Sequence, residues 1–203
     1  MKKIASALLL SAAISAPAFA ANEGGYVNLD LGTASFSNAT SQFGGTNFGN
    51  PGSFTIGGGY HFNQNVAVEV GYSIIGDSTI NTPTASGNIT ETLKTSSFQV
   101  AAVGTLPINA MFDLYGKLGI ASTKIDYTAT PPAGFIFAPG FGTVTSTTGS
   151  STNLMFGIGG QFNINQNFGI RLQYLDLGKV QLSAAGAPNI GVKITSIGGV
   201  YNF

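Results

Sequence analysis

The chain has 203 residues, of which 8% are charged, and its eight basic residues match its eight acidic ones. The surface of a soluble domain alone is about a quarter or more charged, so much of this surface is expected to contact something other than water. The charge pattern gives no indication of nucleic-acid binding. The absence of cysteine excludes disulfides, thiolate catalysis and zinc–thiolate sites.

Residues 1–20 are predicted to form a cleaved secretory signal peptide. Lys2 and Lys3 precede an apolar stretch, and Ala18-Phe19-Ala20 provides a small-residue cleavage site. The apolar stretch is too short and too interrupted for a helical membrane anchor. We therefore expect one exported domain, residues 21–203, with six basic and eight acidic side chains.

The remaining sequence predicts an all-β fold, an eight-stranded antiparallel up-and-down transmembrane β-barrel. No segment after Ala21 approaches the roughly 18 apolar residues of a membrane helix, and only a closed barrel otherwise satisfies its backbone in lipid. Alternation with period two predicts the strands. They are Gly25–Ala34, Gly52–Phe62, Val66–Gly76, Lys94–Leu106, Met111–Ser122, Thr152–Phe162, Phe168–Gly178 and Val192–Phe203.

The connections between these strands alternate between short and long. Residues 63–65, 107–110 and 163–167 form tight turns, and the other links are long and rich in Gly, Ser, Thr, Asn and Pro. Short periplasmic turns and long extracellular loops are typical of bacterial outer-membrane barrels. An internal repeat supports this arrangement, because residues 56–72 align without gaps to residues 158–174 and share an Asn-Gln-Asn turn.

Side-chain parity predicts which face of each strand meets lipid. In the third strand Val66, Val68, Val70, Tyr72 and Ile74 share one face, and Ala67, Glu69, Gly71 and Ser73 share the other. We expect the apolar face to contact hydrocarbon and the alternate residues to fill a closed, wet interior.

The interior is predicted to contain an ion network. Glu69 and Arg171 each follow the last Asn of an equivalent turn by four residues, so they are expected at matching depth on facing strands. Lys117 on the fifth strand and Asp30 on the first are competing partners for the charges of Glu69 and Arg171. Two roles remain open: a fixed plug that specifies register, or a gate whose partner exchange opens a narrow ion path.

The third long loop is unusually apolar at Phe135, Ile136, Phe137 and Phe141. These side chains are candidates for contact with a hydrophobic ligand, a host surface or a neighbouring lipid, and the alternative is that they cover the barrel mouth or lie on the outer leaflet. We expect no cofactor and no metal, because convergent ligands are missing from the sequence.

The GGGYHFNQNVAVEVGY hairpin, the YLDLG at residues 174–178 and the terminal GGVYNF resemble the small outer-membrane barrel family that includes the transmembrane domain of outer-membrane protein A. Similar alternation occurs in the outer-membrane proteins X and W and in opacity-type adhesins. The resemblance implies the outer membrane of a Gram-negative bacterium. It also implies an assembly signal for the barrel assembly machinery at Phe203 with Tyr201, and a lumenal gate at Glu69, Lys117 and Arg171.

The expected function is a structural or surface-interaction role through the extracellular loops. Expected partners are outer-membrane lipids and lipopolysaccharide, a host or surface ligand, and no nucleic acid. The alternative is a narrow channel for ions or small hydrophobic molecules. A lipid A-modifying enzyme is a distant alternative, because the resemblance implies a histidine near the outer leaflet, whereas the only histidine, His61, is predicted at the periplasmic end.

Overall fold

A computed structural model describes residues 23–37, 49–85, 87–133, 146–181 and 189–203. Eight antiparallel strands follow one another around a closed barrel, each paired with its neighbours in sequence and the first with the last. The predicted fold class is confirmed. The strands are β1 (Gly24–Ser37), β2 (Gly52–Asn63), β3 (Val66–Thr84), β4 (Gly87–Pro107), β5 (Phe112–Thr130), β6 (Ser146–Asn163), β7 (Phe168–Gln181) and β8 (Asn189–Asn202).

Three short turns close one end of the barrel, here called the turn end. In the β2–β3 turn the Asn63 side-chain oxygen accepts hydrogen bonds from the backbone N–H groups of Asn65 and Val66, both 2.9 Å long. Asn109 and Asn165 make the equivalent pair of bonds in the β4–β5 and β6–β7 turns. An asparagine that bonds its own backbone two residues on favours a tight turn, so the same local chemistry sets all three hairpins.

At the opposite, loop end, several strands are much longer than predicted. β3 continues to Thr84 and β4 begins at Gly87, so the long link predicted between them is wrong. Likewise β5 extends to Thr130 and β6 begins at Ser146. The third loop is shortened accordingly, and its predicted contact residues Phe135, Ile136, Phe137 and Phe141 lie outside the described residues.

A β-bulge explains why period-two alternation did not predict the longer β3. The register shifts between Ile75 and Ser78, where two residues of β3 oppose Lys94 alone on β4. Before the bulge the inward positions are odd-numbered, as at Ile75, and beyond it they are even-numbered, as at Ser78 and Ile80. A pattern read with one fixed parity therefore stops at residue 76.

The outward face of the barrel changes character along the strands. On β5 the exposed residues are apolar at Leu114, Leu118 and Ile120, and then polar at Ser122 and Lys124. The other strands also carry exposed large apolar side chains on the outward parity nearer the turn end. This apolar band confirms that the predicted apolar faces point outward, and the loop end extends beyond it with a polar exterior.

The inward face changes in the opposite sense. Near the turn end it carries buried polar side chains such as Asn28, Glu69 and Gln173. Toward the loop end, buried apolar residues from seven of the eight strands form one cluster. The predicted wet interior is therefore wrong for the loop end, where the apolar cluster contains Ala34, Ile75, Ile80, Leu93, Ala101, Ala121, Ile125, Tyr127, Ala129, Met155, Leu175, Leu177, Val180, Ile190, Val192 and Ile194.

The apolar cluster fills the space between two groups of strands at the loop end. The β6–β7 ladder ends at the pair Phe156–Asp176, and β2 begins only at Gly52. Beyond these points β3, β4, β5 and β6 remain paired as one sheet, and β7, β8 and β1 as another. The loop end thus resembles a two-layer sandwich built on top of a barrel.

Candidate functional site

The predicted ion network lies inside the barrel, between the turn end and the apolar cluster. It takes one charged residue from each of the alternate strands β1, β3, β5 and β7, namely Asp30, Glu69, Lys117 and Arg171. All four point inward because their positions have the same parity as their strands' other buried residues. The structure brings all four together, rather than selecting one pair.

Arg171 is the central member. Its Nε and Nη2 atoms donate to the two carboxylate oxygens of Asp30 at 2.8 Å and 2.7 Å, and its Nη1 donates to Glu69 Oε2 at 3.0 Å. Two parallel bonds to one carboxylate match the rigid fork of the guanidinium. Arg171 therefore joins the β1 carboxylate to the β3 carboxylate across the lumen.

Lys117 completes the network from the other side. Its ammonium donates to Glu69 Oε1 at 2.6 Å and to the Gln173 side-chain oxygen at 2.9 Å. The ammonium also lies 5.5 Å from the centre of the Tyr115 ring. Two cations and two anions are thus connected in one chain, Asp30–Arg171–Glu69–Lys117, with formally zero net charge.

Neutral side chains hold this network in place, and parity alone did not single them out. Tyr26 donates its hydroxyl to Glu69 Oε2 at 2.9 Å, and Asn28 donates to Asp30 Oδ2 at 2.7 Å. Gln173, which accepts from Lys117, donates in turn to Ser196 at 3.2 Å. Their inward parity was visible in the sequence, but the bonds depend on rotamers that a period-two pattern does not encode.

A second buried carboxylate lies within the loop-end core. Glu91 is fully buried, accepts a 2.6 Å hydrogen bond from the Tyr127 hydroxyl and lies 3.5 Å from the Thr82 hydroxyl. Its inward position was missed because β4 was predicted to begin only at Lys94. A buried carboxylate depends on such bonds for its stability.

On the turn-end side, the ion network faces an open cavity of about 680 Å³, here called the vestibule. The vestibule extends from the residues of the three short turns to Glu69, Lys117 and Arg171. His61 lines it, with its ring 4.6 Å from that of Tyr26. The lone histidine is therefore near the turn end. Among the described residues, no group of three His, Cys, Asp or Glu side chains is arranged to hold a metal ion.

The predicted assembly residues lie on the outer surface at the turn end. Tyr201 and Phe203 are exposed, with ring centres 5.4 Å apart. The Phe203 backbone N–H donates to the Gly25 carbonyl at 3.0 Å, which continues the β8–β1 seam to the last residue. These two aromatic rings belong to the edge of the apolar band that is nearest the turn end.

No helix in the part of the chain that the structure describes is long and apolar enough to cross a membrane. The family model for the outer membrane protein beta-barrel domain matches residues 6–203. The chain belongs to this family. The turn end of this outer-membrane barrel is accordingly periplasmic, and the loop end is extracellular.

Solved structures of small outer-membrane barrels share the fold at low sequence identity. Ail of Yersinia pestis, in complex with the heparin analogue sucrose octasulfate, is 21% identical with a TM-score of 0.54, covering 89% of this chain and 99% of that one. Neisserial surface protein A is 17% identical with a TM-score of 0.59, covering 89% and 97%. The N-terminal β-barrel domain of Pseudomonas aeruginosa OprF is 12% identical with a TM-score of 0.53, covering 89% and 99%. A search of curated proteins gave no match.

Proposed function

We propose that this outer-membrane barrel is a non-conducting surface protein, anchored by its apolar band and acting through its extracellular half. The observation that carries the proposal is the apolar cluster inside that half. Ile125, Leu177 and Ile194 are fully buried there, on strands from both sheets. An ion moving through the lumen would have to leave water and cross this mostly apolar layer, in which the Glu91 carboxylate is already hydrogen-bonded to Tyr127. Such a crossing is costly without paired charges.

The ion network supports the same proposal. Every charge in it has an opposite charge within hydrogen-bonding distance, and each carboxylate also accepts a bond from a neutral donor. A network in which every charge is paired favours a fixed plug over a switch, because separating the pairs to open the lumen would leave buried charges without partners. The gate is therefore the second candidate, and it requires movement of the apolar cluster as well.

The outer surface of the extracellular half offers groups for contact with partners. Above the apolar band it carries exposed hydroxyls, as at Ser122, Thr128 and Thr152, and exposed Lys94 and Lys124. We infer contacts with outer-membrane lipids and lipopolysaccharide at this height, and with a host or surface ligand beyond it. The lysines are paired with Asp77 and Asp126 at 3.2 Å and 2.9 Å, so electrostatic attraction for a polyanion is weakened.

We also infer that the barrel is not an enzyme. The chain contains one histidine, and His61 lies beside the periplasmic vestibule rather than at the outer leaflet. A Ser-His-acid arrangement cannot be assembled at the extracellular end without a second histidine.

We further propose that the signal peptide directs export of the chain. Tyr201 and Phe203 are then the residues through which the barrel assembly machinery inserts the barrel.

Planar-bilayer recordings test the closed lumen. We expect no conductance from the parent protein, from Glu69→Ala or from Arg171→Ala, because the apolar cluster remains intact in each. Asp77→Ala, which changes an exposed carboxylate outside the lumen, is the matched control. Steady conductance in the parent, or conductance that rises only in the Glu69 and Arg171 variants, would instead establish a channel with the ion network as its gate.

A further inference from the structure

The periplasmic vestibule is a cavity that neither anchoring nor surface contact requires. Its volume of about 680 Å³ is within the roughly 300–1,000 Å³ range of small-molecule pockets. It is closed at its inner end by the ion network and opens among the short turns. A molecule could enter it from the periplasm without crossing the barrel.

The charges around the vestibule favour a cation. At its inner end Lys117 and Arg171 are neutralised by Glu69 and Asp30, so they offer little attraction to an anion. On its wall Asp113 accepts a 2.6 Å hydrogen bond from the Asn163 amide, and it forms no ion pair with any basic residue among those described. Glu23 adds a second carboxylate at the mouth.

The walls of the vestibule favour an organic cation over a hydrated metal ion. They include the side chains of Tyr26, Tyr115, Val103 and Val200, which form one buried apolar cluster. The faces of tyrosine rings attract ammonium groups, and valine methyls pack against hydrocarbon. Lys117 already shows this combination, since its ammonium has the Glu69 carboxylate at 2.6 Å and the Tyr115 ring centre at 5.5 Å.

We propose that the vestibule binds a small organic cation from the periplasm. Its ammonium group pairs with Asp113, and its apolar body packs against Tyr26, Tyr115 and the two valines. The site lies at the opposite end of the barrel from the proposed surface contacts, so each proposal can fail without the other.

Isothermal titration with 2-phenylethylammonium tests the site, using the full barrel in phosphatidylcholine nanodiscs and empty nanodiscs as the blank. The uncharged 2-phenylethanol and the anionic phenylacetate have a similar body without the positive charge. We expect the cation to bind at least tenfold more tightly than either, and the resonances of Tyr26 and Tyr115 to shift as it binds. Equal binding of the three probes, tighter binding of phenylacetate, or no shift at either tyrosine would overturn the proposal.

Two variants identify the carboxylate responsible. Asp113→Asn should weaken binding of the cation by about tenfold, as expected for loss of one charge pair worth about 1.4 kcal/mol. Asp77→Asn removes one exposed carboxylate at the opposite end of the barrel, so affinity should stay within about twofold. Unchanged affinity in Asp113→Asn would refute the assigned partner, and a loss in Asp77→Asn equal to that in Asp113→Asn would show that overall charge, not the vestibule carboxylate, is responsible.

Discussion

At the scale of single residues, the ion network stabilises the barrel only while it is complete. Asp30, Glu69, Lys117 and Arg171 have been removed from water, and each depends on the others for the interactions that water would provide. Removing one member of a buried pair costs more than the pair contributes relative to apolar side chains, because an uncompensated charge remains. Arg171 contacts both carboxylates, so its loss should have the largest effect.

Arg171→Met is expected to destabilise the barrel by about 3–5 kcal/mol, since it leaves Asp30 without a cation. Lys193→Met is the matched control, because Lys193 is half-exposed and lies 3.9 Å from Asp176. An exposed pair of this kind contributes about 0–1 kcal/mol. Urea titration followed by circular dichroism in lipid vesicles measures both. Equal losses in the two variants would contradict the central role of Arg171.

Sequence reasoning identified the four charged residues but not their arrangement. Parity and the repeated Asn-Gln-Asn turn were sufficient to select Glu69 and Arg171 as facing residues at one depth. They could not indicate that Arg171 would use two donors on Asp30 and one on Glu69. Those bonds depend on side-chain rotamers and on the lumen's width, which follow from closure of the whole barrel.

At the scale of strands, two β-bulges determine how the extracellular half is built. One is on β3 between Ile75 and Ser78, and the other is on β7 between Asp176 and Lys179. In the second, Gly178 has a φ of 81°, in the left-handed region that other residues rarely adopt. A Cβ at this position would also approach Asn153 Cβ to 2.5 Å.

Gly178→Ala is expected to lower the free energy of unfolding by about 1–2 kcal/mol because of this backbone conformation, with further loss from the contact with Asn153. Backbone amides beyond the bulge, from Lys179 to Gln181, should exchange with solvent faster. Gly160→Ala on β6 is the control, since Gly160 has ordinary φ and a Cβ there would approach nothing closer than 3.7 Å. If both substitutions behave alike in urea titration and hydrogen exchange, the bulge geometry is not required.

The strand ends near the periplasm were predictable from sequence, and most of those at the extracellular end were not, although β2 begins at Gly52 as predicted. Asparagine turns mark the periplasmic ends within a residue or two, because their chemistry is local. At the extracellular end, segments rich in Ser, Thr and Gly were predicted to be loops, although Thr79, Thr90 and Thr92 belong to strands. Their buried neighbours include Ile80 and Leu93 of the apolar cluster, but the bulge and the change of face concealed this pattern.

At the scale of the whole molecule, one part of the barrel has an outer surface suited to lipid and the other part has an outer surface suited to water. In its lower, turn-end part the outer face is apolar and the interior holds the ion network beside one small apolar cluster. In its upper, loop-end part the outer face is polar and the interior is mostly apolar. Five strand pairings, β3–β4, β4–β5, β5–β6, β7–β8 and β8–β1, continue from one part into the other. The bulges on β3 and β7 change which residues point inward. The height at which the outer face becomes polar should coincide with the upper boundary of the hydrocarbon.

Spin labels on β5 test this boundary. A label replacing Leu118 should be more accessible to oxygen than to a water-soluble nickel complex in lipid vesicles, and a label replacing Lys124 should show the opposite preference. Both positions are exposed and lie six residues apart on one strand, so a difference between them reflects the solvent rather than burial. Lipid-like accessibility at both positions would show that the apolar band continues higher than we infer.

The polar exterior of the upper part has a consequence for biogenesis. A barrel that enters the outer membrane from the periplasm must carry its distal strand tips through hydrocarbon before they reach water. On β6 the outward residues of that tip are Ser146, Thr148, Ser150 and Thr152, all hydroxyls and none charged. A hydroxyl costs far less free energy than an ionised group to move into lipid. A strand tip whose outward side chains are hydroxyls can therefore cross the hydrocarbon at low cost and still be solvated by water on the far side.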